Sequence, residues 1–169
     1  PNLSIAPGFE EYSNAWTQWG LPAGTIAETY EPDQPHTGAR AAIVGSNFYR
    51  PLYQDVFNAV PGETYRLGVW LRQGTTDETK FYPGNPDFRT KAFICLNTVG
   101  VEDVRDPHSV CSPQIEAWDD WVYLTVEAVA ESENIVVIFL QRKHETLQDT
   151  ITVPNYVVYD DAYLGLVSQ

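Results

Sequence analysis

Apolar residues recur at every second position along most of the chain, which is the period of a half-buried β-strand rather than of a helix. Between Thr64 and Arg72, Tyr65, Leu67, Val69 and Leu71 fall on one face, while Arg66, Gly68, Trp70 and Arg72 fall on the other. Ala92, Ile94 and Leu96 alternate with Lys91, Phe93, Cys95 and Asn97. Val122, Leu124, Val126 and Ala128 alternate with Tyr123, Thr125 and Glu127. Across Asn134–Lys143, Val136, Ile138 and Leu140 oppose Val137, Phe139 and Gln141, and Val157–Leu166 reads as a last strand. Turn signals separate these runs at Pro7-Gly8, Pro22-Ala23-Gly24, Pro61-Gly62, Pro83-Gly84-Asn85-Pro86 and Asp106-Pro107. No segment has the length of a parallel crossover. The pattern predicts an all-β chain, an antiparallel β-sandwich of two sheets with about 8–10 strands. The longest predicted loop spans residues 73–90.

The 169 residues suit one domain, residues 1–169. A chain that begins at Pro1 and holds no methionine reads as a piece of a larger multidomain protein. Charge narrows the partners. Ten Lys and Arg against 23 Asp and Glu give a net charge of -13, which repels phosphate backbones and anionic membranes. Aromatic residues make up 13% of the chain, so the acidity is not that of a disordered tail. Cys95 and Cys111 are the two cysteines and lie in no zinc-type spacing. They form either one disulfide, closing a loop of about 15 residues and contributing ~3 kcal/mol, or two unrelated buried thiols. A bridge would agree with an extracellular or cell-surface location.

Signatures of catalysis are missing from the sequence: it has no GxSxG, HExxH, P-loop or GxGxxG. His36, His108 and His144 read as isolated surface histidines. Carboxylate doublets at Glu10-Glu11, Asp119-Asp120 and Asp160-Asp161 do not make acid/base pairs, because neighbours on a strand point to opposite faces. Should the first and last strands pair, Glu10 would meet the Asp160-Asp161 doublet. Two carboxylates meeting at a sheet edge are either solvated or compensated by a base or a hard cation, calcium being the natural occupant.

Short motifs follow one another along the chain at Pro7–Glu10, Trp16, Trp19-Gly20, Thr37–Ala42, Tyr53–Val56, Pro61–Leu67, Val69–Arg72, Trp118–Trp121 and Tyr159–Leu164. In that order they resemble those of the jelly-roll carbohydrate-binding modules of the galactose-binding-like superfamily, in particular the xylanase- and glucanase-associated type. Pro7-Gly8-Phe9-Glu10 followed by Trp16 and Trp19-Gly20 is similar to the opening of that family. Thr37-Gly38-Ala39-Arg40-Ala41-Ala42 is similar to its second strand. Tyr53-Gln54-Asp55-Val56 and Pro61-Gly62-Glu63-Thr64-Tyr65-Arg66-Leu67 resemble its central block. Val69–Arg72, Trp118–Trp121 and Tyr159–Leu164 complete the series. The resemblance covers residues 6–167 and implies a jelly roll.

It further implies a structural calcium ion held by the carbonyls of Gly8 and Arg40 together with Glu10, Thr37 and Asp160, with Asp160 favoured over Asp161. A glycan would stack on aromatic rings and bond to planar polar groups. The non-core strand faces offer Trp70, Arg72, Phe93, Asn97, Phe139 and Gln141, and the position of Trp70 is one where related modules stack sugar. Phe81, Tyr82 and Phe88 would wall the cleft, Phe48, Tyr49 and Tyr53 would edge it, and Trp16, Trp118 and Trp121 read as core anchors. A Cys95 disulfide departs from the family pattern and would fill part of the face carrying Phe93.

The function this implies is non-catalytic binding of a neutral poly- or oligosaccharide by a domain covalently linked to a parent protein. A second reading is a structural or adhesion sandwich of a surface or filament protein that grips protein and self-assembles. A small jelly-roll hydrolase or lyase is a third.

Overall fold

The computed structural model describes residues 8–9, 16–18, 29–30, 35–38, 41–44, 51–75, 90–118, 120–143 and 155–167. All ten described elements are strands: β1 (Thr17–Gln18), β2 (Thr29–Tyr30), β3 (Ala41–Val44), β4 (Leu52–Phe57), β5 (Thr64–Thr75), β6 (Thr90–Asn97), β7 (Ser109–Cys111), β8 (Val122–Val129), β9 (Asn134–Lys143) and β10 (Asn155–Leu166). They form two five-stranded sheets. The first runs β1-β4-β9-β6-β7 and the second β2-β3-β10-β5-β8. Every named ladder is antiparallel. Among the described residues no helix is long and apolar enough to cross a membrane.

The alternation of β5 holds: Tyr65, Leu67, Val69 and Leu71 are buried in the core between the sheets, and Arg66, Trp70 and Arg72 point away from it. From the first sheet, Leu52, Val56, Ala92, Ile94, Leu96, Ile135, Val137 and Phe139 face them. A run of aromatic rings crosses this core. Phe9 meets Trp16 at 5.2 Å, Trp16 stacks on Phe139 at 5.1 Å, and Phe139 stacks on Tyr159 at 5.0 Å.

Phe139 is thus a core residue with no exposed surface, and the cleft placement of it is corrected. Gln141 follows it onto the inner face, where its carboxamide oxygen accepts a bond from Thr90 Oγ1 at 3.4 Å within a buried polar group. The reason is that β9 is apolar on both faces. Ile135, Val137 and Phe139 fill the main core, and Val136, Ile138 and Leu140 fill a second cluster on the outside of the same sheet. A strand buried on both sides has no polar face for alternation to reveal.

β1 pairs with β4, while β10 pairs with β3 and β5, so the first and last strands lie in different sheets. The expected pairing of chain ends is replaced by a contact between β10 and the turn at residues 35–38 before β3. Cys95 and Cys111 stand directly opposite in the β6–β7 ladder and are bonded as a disulfide.

Candidate functional site

The residues predicted to share one cleft separate onto three surfaces. Phe139 and Gln141 face the core, as described above. Phe93 and Asn97 lie on the outer face of the first sheet, and Trp70 and Arg72 on the outer face of the second. Tyr82 lies outside the described residues, as do Glu10 and Arg40 of the expected metal set.

On the first sheet, Phe93 packs with Cys95, Val136, Ile138 and Leu140, all buried, and with the half-buried Tyr53 and Val104. Asn97 is wholly buried and organises the 98–109 segment. Its Nδ2 donates to Asp106 Oδ1 and Ser109 Oγ at 3.2 and 3.0 Å, and its Oδ1 accepts Val99 N–H and Val101 N–H at 3.1 and 2.8 Å. That uses both ends of the carboxamide inside the protein, so Asn97 positions a loop rather than a sugar.

The same face holds a carboxyl pair that the sequence did not reveal. Asp55 and Glu102 lie close enough for the Asp55 charge to act on Glu102, and Tyr53 beside Glu102 favours its charged form. Desolvation pushes both carboxyls above their ordinary values; at Glu102 Tyr53 opposes the shift and the Asp55 charge adds to it. A group whose folded pKa exceeds its unfolded value costs stability above the folded pKa, and that cost disappears below the unfolded one. Asp55→Asn is therefore expected to raise the melting midpoint slightly at pH 7, with the gain vanishing as the pH falls toward about 4. Urea titrations of both proteins across that range check it, and the size is small because both side chains are partly solvated.

The second sheet is different. β5 places Trp70 between Tyr123 of β8 and Asp160 of β10. Three tyrosines lie across glycines on this face, Tyr156 over Gly74 among them. A side chain at Gly68 would collide with the Tyr123 ring, and one at Gly165 with that of Tyr163, so glycine at each site lets the ring lie against the sheet. Tyr123 is 42% exposed. Trp70 sits 5.2 Å from Tyr123, and the Arg72 guanidinium lies 5.5 Å from the centre of the Trp121 ring. Trp121 is half-buried on this face, which corrects its reading as a core anchor; Trp118 is also half-buried, whereas Trp16 is in the core. Arg66 and Glu127 form an ion pair of 2.6 Å at one end of the strip.

The turn at residues 35–38 caps the other end. His36 stacks on Trp70 at 4.1 Å with 16° between the planes, so it is not an isolated surface histidine. His108, in contrast, is exposed and pairs with Glu131 at 3.1 Å, and His144 lies outside the described residues. Asp160 is fully buried, and its carboxylate accepts the backbone N–H of Thr37 at 3.0 Å and of Asp161 at 2.7 Å. Burial pushes the Asp160 carboxyl up to about 6 despite these donors. The neighbouring Asp161 accepts Thr37 Oγ1–H at 2.7 Å and is 2.7 Å from His36 Nδ1. A register shift between Asp160 and Tyr163, with Asp161 at φ 47, turns both carboxylates toward this one turn. Strict alternation forbids that arrangement, and a bulge restores it.

The same two-sheet architecture occurs in solved structures of other proteins. A family 61 carbohydrate-binding module in complex with β-1,4-galactotriose superposes with a TM-score of 0.62, covering 99% of each chain at 17% identity. The CBM22-1 and GH10 modules of a Clostridium thermocellum endo-1,4-β-D-xylanase, complexed with xylohexaose, give 0.62 and 15% identity. The match covers 99% of this chain and 29% of that one. A family 16 carbohydrate-binding module gives 0.60 at 18% identity, covering 97% and 99%. The chain has the jelly-roll fold of carbohydrate-binding modules. No protein-family model matches the chain, and no curated protein matches it in sequence.

Proposed function

We propose that this jelly roll is a non-catalytic, extracellular module that binds a neutral polysaccharide on the outer face of its second sheet. The observation that carries the reading is the aromatic strip of Trp70, Trp121, Tyr123 and Tyr163, set beside the guanidinium of Arg72. Flat rings braced against a rigid sheet suit the C–H faces of pyranose rings, and the adjoining polar groups suit their hydroxyls. Structural neighbours complexed with galactotriose and xylohexaose supply the class of ligand. The net charge of -13 disfavours polyuronates. The disulfide agrees with an oxidising, extracellular setting. The outer face of the first sheet is the weaker candidate, because its apolar residues already bury one another.

Affinity electrophoresis of the isolated chain through gels holding β-1,4-galactan, xylan or mixed β-glucan, with a polyuronate gel as control, tests the proposal. Retardation by at least one neutral polymer and not by the polyuronate is expected. Free migration in every neutral gel would overturn it.

The calcium ion belongs to the same proposal. A fully buried carboxylate whose described partners are N–H dipoles carries charge that a hard cation would neutralise, and this fits Asp160 as a ligand. Thr37, Gly8, Glu10 and Arg40 would supply the remaining oxygens. Among the described residues no three acidic, histidine or cysteine side chains cluster, and Glu10 lies outside those residues. Calcium is expected to raise the calorimetric midpoint over that in EDTA by mass action. Identical midpoints would remove the ion from the account.

A further inference from the structure

His36 is held on three sides. Trp70 lies beneath it at 4.1 Å, Trp121 meets it edge-on at 5.5 Å and 68°, and Asp161 Oδ2 stands 2.7 Å from Nδ1. A carboxylate only accepts, so Nδ1 carries the proton of this bond. Asp161 is itself fixed, since its other oxygen accepts the Thr37 hydroxyl, and the Thr37 N–H is bound to the buried Asp160. The imidazole is thereby locked in position and tautomer by a chain of bonds running back into β10. The remaining nitrogen, Nε2, has no described partner and in the neutral ring is an acceptor. The side chain keeps 25% of its surface exposed.

We propose that His36 is the outermost layer of the glycan platform. The sugar packs against the imidazole rim and donates a hydroxyl hydrogen bond to Nε2, and Trp70 acts as the ring beneath rather than as the contacting surface. This rests on the reading that the outer face of the second sheet binds glycan, and it changes which atom meets the ligand. A flexible surface histidine loses rotamer freedom on binding, whereas one clamped between two indoles and a carboxylate has lost it already. The arrangement therefore joins stacking and directional bonding in one pre-set side chain.

The test uses the whole chain in the β-1,4-galactan, xylan and β-glucan gels. His36→Phe keeps a flat ring over Trp70 and removes Nε2, and it is expected to weaken retardation about tenfold. His36→Ala removes both and is expected to weaken it further. Near-UV circular dichroism and the melting midpoint of His36→Phe are expected to stay close to wild type, which separates lost bonding from a lost fold. If Trp70→Ala abolishes retardation while both His36 variants migrate like wild type, the face binds glycan but His36 does not touch it, and this proposal falls alone. If wild type migrates freely in all three gels, the proposal falls together with the functional reading.

Discussion

Phe139→Ala is expected to lower the stability of the domain by about 3–5 kcal/mol, the range for truncating a fully buried aromatic side chain. Phe139 has no exposed surface and stands between Trp16 at 5.1 Å and Tyr159 at 5.0 Å. Each neighbour is also buried and belongs to a different part of the fold: Trp16 precedes β1 of the first sheet, and Tyr159 lies on β10 of the second. Removal of the middle ring leaves a cavity that rigid sheets on both sides collapse into only partly. For a chain of this size the midpoint falls by roughly ten degrees or more. Denaturation in urea measures the loss directly. A change below about 1 kcal/mol would instead suit a residue lining an open cleft.

Replacing Cys95 and Cys111 together with alanine is expected to cost about 3 kcal/mol, as the closed loop of this length implies. The local consequence is as informative as the total. β7 has three residues and joins the sheet through its ladder with β6 alone, so the bridge fixes an edge strand with little ladder of its own. Amide exchange should quicken first in β7 and in the 98–109 segment that Asn97 organises. A double variant with unchanged stability and unchanged exchange there would show that the ladder and Asn97 hold this edge unaided.

What the sequence revealed follows from how one-sided each strand is. β5 and β8 carry polar or glycine positions on their outer faces, and their alternation located both strands and the faces they bury. β9 carries Val136, Ile138 and Leu140 on one side and Val137 and Phe139 on the other, so hydrophobicity marked the strand but not its orientation. Phe139 and Gln141 were misplaced for that reason. Asn97 was misplaced because a polar residue on an outer face looks available to solvent, whereas here the backbone of its own loop consumes it. Asp160 and Asp161 converge through a bulge, and a bulge leaves no sequence mark beyond the residues that tolerate it. His36 and Trp70 are brought together by β3 and β5 pairing on either side of β10, a long-range contact that no local pattern contains.

Trp70 remains the first residue of the candidate site, in a changed role. Its sheet position and outward direction were legible from the alternation of β5. The ring that covers it was not. The strip also gained Trp121, whose aromatic character suggested a core anchor but whose half-buried place beside Arg72 puts it at the surface.

The central claim is that a neutral glycan binds the outer face of the second sheet. The most direct measurement compares Trp70→Ala, on that face, with Tyr53→Ala, on the outer face of the first sheet, by affinity electrophoresis in the neutral polysaccharide that retards the wild type. Trp70→Ala removes the ring that carries His36 and is expected to lose retardation by tenfold or more, and Tyr53→Ala to migrate like wild type. Retention by Trp70→Ala together with loss by Tyr53→Ala would contradict the account and move the site to the opposite face.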